Sequence, residues 1–136
     1  MARQITLDDR ELIEIVNSQG AVTGSFLFNP TDLDIIQRCE KVAEFFNNFR
    51  VPEHDDNRKA LDDASAQIKE QFDYLLDTEA SATLFAHSNP LSLWEDGRTY
   101  CEYVLDVIRK FVENEFHIRT EKMQNRVDKY TEKYVK

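Results

Sequence analysis

His54, His87 and His117 are the histidines of this chain, and they lie on three separate segments. None forms a His-x-x-x-His pair or stands at ligand spacing from Cys39 or Cys101, the arrangement that lets neighbouring side chains grip a zinc ion. His54-Asp55-Asp56 is the most polar cluster, yet it lacks the glycine and the alternating oxygen ligands of an EF-hand loop, so it reads as a solvated loop. Asp62-Asp63 and Glu40 with Glu44 are paired carboxylates. General acid–base chemistry requires such groups to face each other in a pocket that splits their pKa values, and the pattern here reads as surface charge. Neither a Gly-rich phosphate-cradling loop nor a Gly-x-Ser-x-Gly elbow occurs, and three glycines could barely supply one. Cys39 and Cys101 both fall in expected helices and read as lone buried thiols, not as a disulfide or a metal pair. The expectation is a chain that is not an enzyme, with no catalytic residue, no metal and no cofactor.

The residues that stand out are apolar. Nine phenylalanines occur in 136 residues, and most of them must be core. Phe45 and Phe46 cannot both face one core, because adjacent helical residues point about 100° apart, so Phe45 is a candidate for a second contact surface. Leu91, Leu93 and Trp94, on a loop beside Pro90, are the next candidates, since apolar anchors on loops serve recognition more often than catalysis. Near the C-terminus Phe116, Thr120, Met123, Val127, Tyr130 and Tyr134 step by 4, 3, 4, 3 and 4, a heptad-like seam. Phe116, Met123, Val127, Tyr130 and Tyr134 are therefore expected to bind protein and to drive self-association into a homo-oligomer.

Charge narrows the partners. The net charge is −9, but residues 117 to 136 hold six basic residues against three acidic ones, a balance of +3 that leaves −12 on the rest. A body so acidic repels nucleic acid and membrane phosphates alike. The basic and aromatic residues Arg126, Lys129, Tyr130, Lys133 and Tyr134 interleave as nucleic-acid binders do, though their charges alternate in sign with acids, as on a solvated helix face. No run approaches the ~18 apolar residues of a membrane span. Met1-Ala2-Arg3-Gln4 leads into alternating and acidic sequence and not into a signal-peptide core, so the cytoplasm is the expected compartment.

These residues need elements to position them, and three glycines with three prolines favour long helices. A single domain is expected, mainly α, with an extended segment over 3–28, a three-helix core over 29–115 and a helical extension over 116–136. Arg3–Leu7, Leu12–Val16 and Ser25–Phe28 read as short strands of a β-hairpin or meander, with turn residues between Gln19 and Gly24; Leu12–Val16 can also be read as continuing a short helix from Asp8. Asn29-Pro30 is expected to open the first helix, capped by Asn29, and Val51-Pro52 to end it. An acidic loop follows over 53–57, then a helix from about Asn57 to Asp77 and a short turn of helix within Glu79–Phe85. Thr99 with Glu102 matches a capping box for a last helix that meets no proline or glycine through Lys136. From Thr99 to Tyr134 it would be ~54 Å long, beyond the ~30 Å of a small domain, so its second half must fold back, bind a partner or project. The matching stripes assign Ile36, Val42, Phe46, Ile68, Phe72, Leu75, Leu105 and Ile108 to one core.

Two stretches carry a resemblance. Phe28-Asn29-Pro30-Thr31-Asp32-Leu33-Asp34-Ile35 leads into one helix; Leu84-Phe85, Asn89-Pro90-Leu91-Ser92-Leu93 and Asp96-Gly97-Arg98 lead into another that carries Val104, Leu105 and Ile108. Over roughly residues 25 to 112 this order resembles the small tail assembly proteins of long-tailed bacteriophages and prophages, the tail assembly chaperones. The resemblance implies a short, acidic, α-rich, non-enzymatic protein. Such a protein would coat the tape measure protein in the bacterial host cytoplasm, keep it soluble while tail tube protein polymerises, and be absent from the finished virion. Two other readings stay open: a structural or adaptor protein of a phage or prophage particle acting as an oligomer, and a nucleic-acid-associated regulator using the basic C-terminal helix.

Overall fold

The computed structural model describes residues 1–50 and 58–134, with side-chain burial described through Glu132. The expected helix stop at Val51-Pro52, the 53–57 loop and the His54 cluster lie outside the described residues.

The fold is mainly helical, with a two-stranded N-terminal hairpin and a long last helix. Strands β1 (Glu11–Val16) and β2 (Val22–Phe28) pair antiparallel, Leu12 opposite Leu27 and Ile13 opposite Phe26, with an irregularity between Ile15 and Val16. The turn is tighter than expected, because Asn17 organises it: its side-chain oxygen accepts the backbone N–H of Gln19 at 2.9 Å and of Ala21 at 3.0 Å. Gly20 supplies the left-handed residue at φ +82°. Thr23 and Gly24 consequently belong to β2. Gly24 is needed there for another reason, since a Cβ at this position would collide with the methyl group of Thr83. Leu12–Val16 is strand and not helix. The third strand expected at Arg3–Leu7 does not form: no strand covers residues 1–10, and Ile5 and Leu7 are exposed. Alternation defines a face, but a strand also needs a ladder partner for its N–H and C=O groups.

Four helices follow: α1 (Ile35–Asn48), α2 (Arg58–Leu76), α3 (Ser81–Leu84) and α4 (Tyr100–Tyr134). Helix α1 starts five residues later than expected. Asn29 caps a turn instead, accepting Thr31 N–H at 3.2 Å, and the Asp32 side chain accepts Asp34 N–H at 3.1 Å, so the backbone spends residues 29–34 in successive turns. Asp77, at φ +52°, ends α2 in the left-handed conformation that closes many helices. Asp73, one turn earlier, reaches across to accept Ser81 N–H at 2.7 Å and Ser81 Oγ–H at 2.9 Å, which fixes the start of α3. Half of the expected capping box is present at α4, where Thr99 Oγ1 accepts Glu102 N–H at 3.4 Å.

The core joins α1, α2 and α4 under the hairpin. One cluster gathers Phe28, Ile35, Val42, Leu75, Leu76, Ala80 and Val112, with Phe46, Leu105 and Ile108 against it; a second gathers Ile68, Phe72, Phe85, Cys101 and Val104. The expected core residues are therefore in place, with one correction. Ile36 is 57% exposed and Ile35, at 2%, is buried in its stead. At about 100° per residue Ile35 shares the azimuth of Val42 and Phe46 within about 20°, whereas Ile36 lies about 120° from Val42. The thiols also divide: Cys101 is buried as expected, but Cys39 is exposed; it lies about 60° round α1 from Val42, at the edge of the stripe between partly buried Phe46 and exposed Ile36.

Candidate protein-docking surface

The inner face of α4 is built from Leu105, Val112 and Phe116, which pack on the cluster around Phe28 and Val42. On a helix of about 100° per residue those three, together with Met123, Val127 and Tyr130, fall within about 60° of arc. One apolar stripe thus runs the length of the helix. Its first half is covered by α1, α2 and the hairpin; its second half is not. Met123 is 51% exposed, Val127 44% and Tyr130 66%. From Thr120 to Glu132 every residue is exposed, so the last part of α4, about 22 Å long, projects from the body. Tyr134 ends the helix, and its side chain lies outside the described residues.

Arg119 marks the point of departure. Its guanidinium donates to Glu11 Oε2 at 2.7 Å, Glu115 Oε2 at 3.2 Å and Thr31 Oγ1 at 2.9 Å, tying α4 to the start of β1 and to the turn before α1. The hydrogen bond it donates to Glu11 holds its pKa above the ordinary arginine value, so the tether stays charged at any physiological pH.

Beyond Arg119 the flanks of the stripe differ. Arg126, Lys122 and Lys129 lie about 70–130° to one side of its centre. Thr120, Gln124 and Thr131 line the other flank, and Glu121, Asp128 and Glu132 sit on the opposite face. His117 joins this back face through Glu121, at 3.2 Å.

The other apolar candidates distribute differently. Trp94 stacks on Tyr103, ring centroids 4.7 Å apart and 13° from parallel, with the Arg98 guanidinium 6.0 Å over the same tyrosine ring. The turn at Glu95-Asp96-Gly97 positions it: Trp94 N–H donates to Arg98 O at 2.7 Å and Gly97 N–H to Trp94 O at 3.0 Å. Asp96, whose carboxyl is held below its ordinary range first by the backbone N–H of Arg98, clamps that arginine at 2.7 Å. Leu93 is exposed, whereas Leu91 is partly buried against the Ile68 cluster. Phe45 is partly buried too, in a triad with Phe46 at 5.2 Å and Phe49 at 5.4 Å; contrary to expectation, Phe45 and Phe46 both pack against the Ile68 cluster, because the buried face of α1 is wide enough to take two side chains about 100° apart. Among the described residues, Met123, Val127 and Tyr130 share one exposed face of α4, whereas Phe45 lies on α1 and Leu91, Leu93 and Trp94 on the loop before α4.

Sequence patterning passed over a second apolar feature. A groove of about 370 Å3 opens between the hairpin and α4, lined among others by Ile13, Phe26, Tyr103, Val107, Ile108 and Phe111. Its walls come from residues some 90 positions apart, which no local periodicity connects. Among the described residues no group of three or more His, Cys, Asp or Glu side chains is placed to hold a metal ion, and no helix is long and apolar enough to cross a membrane. No family model, curated protein or solved structure matches the chain.

Proposed function

We propose that this chain is a non-enzymatic assembly chaperone of the phage tail type, binding the tape measure protein, the tail tube protein or both in the bacterial host cytoplasm. The observation that carries the reading is the α4 stripe, packed on the core as far as Phe116 and exposed at Met123 and Val127. An apolar line kept wet on a rigid helix is a contact surface awaiting a chain to cover it. The acidic remainder, −12 outside residues 117–136, supplies the repulsion that keeps a coated hydrophobic client dispersed. The segments Phe28–Ile35 and Asn89–Leu93, on which the resemblance rests, lie in the turns that deliver the chain into α1 and towards α4.

Co-expression with the tape measure protein of the same genome tests this. The client is expected to move from the pellet to the soluble fraction with the wild-type protein, and to remain insoluble with a Met123→Asp/Val127→Asp variant. A client equally soluble with both, or with neither, counts against the reading.

A second reading draws on the hairpin. Among the described residues neither strand of the sheet pairs with a further strand, and its outer face carries exposed Leu12 and Leu27 opposite each other, features by which sheets of separate subunits join. A structural or adaptor subunit of a particle, oligomerised through that sheet, would use them.

A further inference from the structure

The flanks of the projecting stripe carry information about what covers it. Its width, about 60° of arc, is that of a seam for a single helix, and the 4-3 spacing of Met123, Val127 and Tyr130 is the spacing at which helix faces interlock. The charged flank then selects between occupants. If the projecting segments of two copies paired antiparallel about a two-fold axis, each flank would meet its own counterpart, setting Lys122, Arg126 and Lys129 against the same residues of the second copy. A parallel pair would set that basic flank against the uncharged Thr120, Gln124 and Thr131, gaining nothing, and would bring two acidic bodies side by side. A helix from another chain that carries carboxylates beside its apolar ridge meets neither objection.

We infer that the exposed face of α4 beyond Arg119 takes an amphipathic helix of a different protein, with Met123 and Val127 packing on its apolar ridge and Lys122, Arg126 and Lys129 pairing with acids along one flank. This deepens the reading of the chain as a protein-binding chaperone and rests on it for the existence of a partner, though not for the partner's name. Because these side chains are exposed, substituting them is expected to leave the fold intact, which circular dichroism and thermal melting of each variant check directly.

The test uses full-length protein and two designed amphipathic peptides of about three heptads, with leucine along the ridge and either glutamate or lysine on both flanks. Binding is read by fluorescence anisotropy. The glutamate peptide is expected to bind about tenfold or more tightly than the lysine peptide, the sum of three exposed ion pairs gained in one case and three repulsions in the other. Raising the salt from ~50 mM to ~500 mM should shrink the difference, as screening requires. Lys122→Glu/Arg126→Glu/Lys129→Glu is expected to invert the order of the peptides, and Val127→Asp to remove binding. Equal affinity for both peptides, or binding that survives Val127→Asp, overturns the inference. So does sedimentation showing a dimer of the full-length chain that Val127→Asp dissociates, since a second copy would then be the occupant. The outcomes separate from those of the client experiment: a solubilised tape measure protein with no peptide preference retires this inference alone, and a clear peptide preference with an unaffected client retires the phage reading alone.

Discussion

Arg119 and Glu11, 108 positions apart, meet at 2.7 Å where α4 leaves the body, and this contact divides the helix into a packed half and a projecting half. Neither residue announces this role in sequence: Arg119 sits in the basic C-terminal segment and Glu11 opens a strand. The pair is partly exposed, so its own contribution to stability is small. Its consequence is geometric, because Thr31 and Glu115 share the same guanidinium and the hairpin, α1 and α4 are held at one point.

Arg119→Met should therefore loosen the hairpin more than it lowers global stability. A loss of about 1 kcal/mol or less is expected in denaturant unfolding, together with faster amide exchange in β1 than in α2. Unchanged exchange in β1 would show that the groove contacts alone hold the hairpin.

Truncations locate the same boundary. A chain ending at Thr120 loses, among the described residues, only exposed ones and should keep its thermal midpoint within about 2 °C. A chain ending at Glu115 also loses Phe116 and Arg119, which pack on the core and tie the hairpin, and should melt several degrees lower. Equal midpoints for the two would place the end of the packed half before Phe116.

In the core, Phe72→Ala and Ile35→Ala should each cost ~2–5 kcal/mol, since both side chains are buried and leave cavities. Ile36→Ala, one residue along, should stay within about 0.5 kcal/mol. Chemical denaturation of the three variants checks the azimuth of α1 directly.

Gly24 and Thr83 should be coupled. Gly24→Ala alone drives a Cβ into the Thr83 methyl group and is expected to cost about 1–3 kcal/mol. Adding Thr83→Ser, which removes that methyl, should restore most of the loss, a coupling that a double-mutant cycle measures. Additive effects would mean that the strand shifts away instead.

Asp106 sets an acid dependence. Its carboxyl is held below the ordinary value of 3.8 first by hydrogen bonding from Arg109 and then from Lys110. The folded state therefore binds the proton less readily than the unfolded one, so the stabilisation is present above the ordinary carboxylate range and is lost as pH falls through the depressed folded value. Asp106→Asn should flatten the acid limb of a stability–pH curve slightly and lower neutral-pH stability by the same small amount, as expected of a partly exposed carboxylate paired with exposed cations. An acid limb unaltered by the substitution would assign it to other carboxylates, Asp96 first among them.

Periodicity determined the helices and most of the core, because a 3.6-residue stripe is a property of consecutive residues and burial follows it: Val42, Ile68, Phe72, Leu75 and Leu105 were legible for that reason. The Ile35 azimuth was legible as well, in its seven-residue distance from Val42, but two adjacent isoleucines blurred it. The heptad steps from Phe116 to Tyr130 were also visible as a face. Whether that face would be covered was not, since coverage depends on where α1, α2 and the hairpin end in space. Tertiary structure alone decided that Arg3–Leu7 finds no strand partner, that Cys39 faces solvent, and that a groove forms between Phe26 and Phe111. It also decided that the α4 stripe passes from buried to exposed beyond Arg119. Each of these is a contact or the lack of one between distant segments, and a local pattern specifies which face a residue occupies without specifying what stands opposite it.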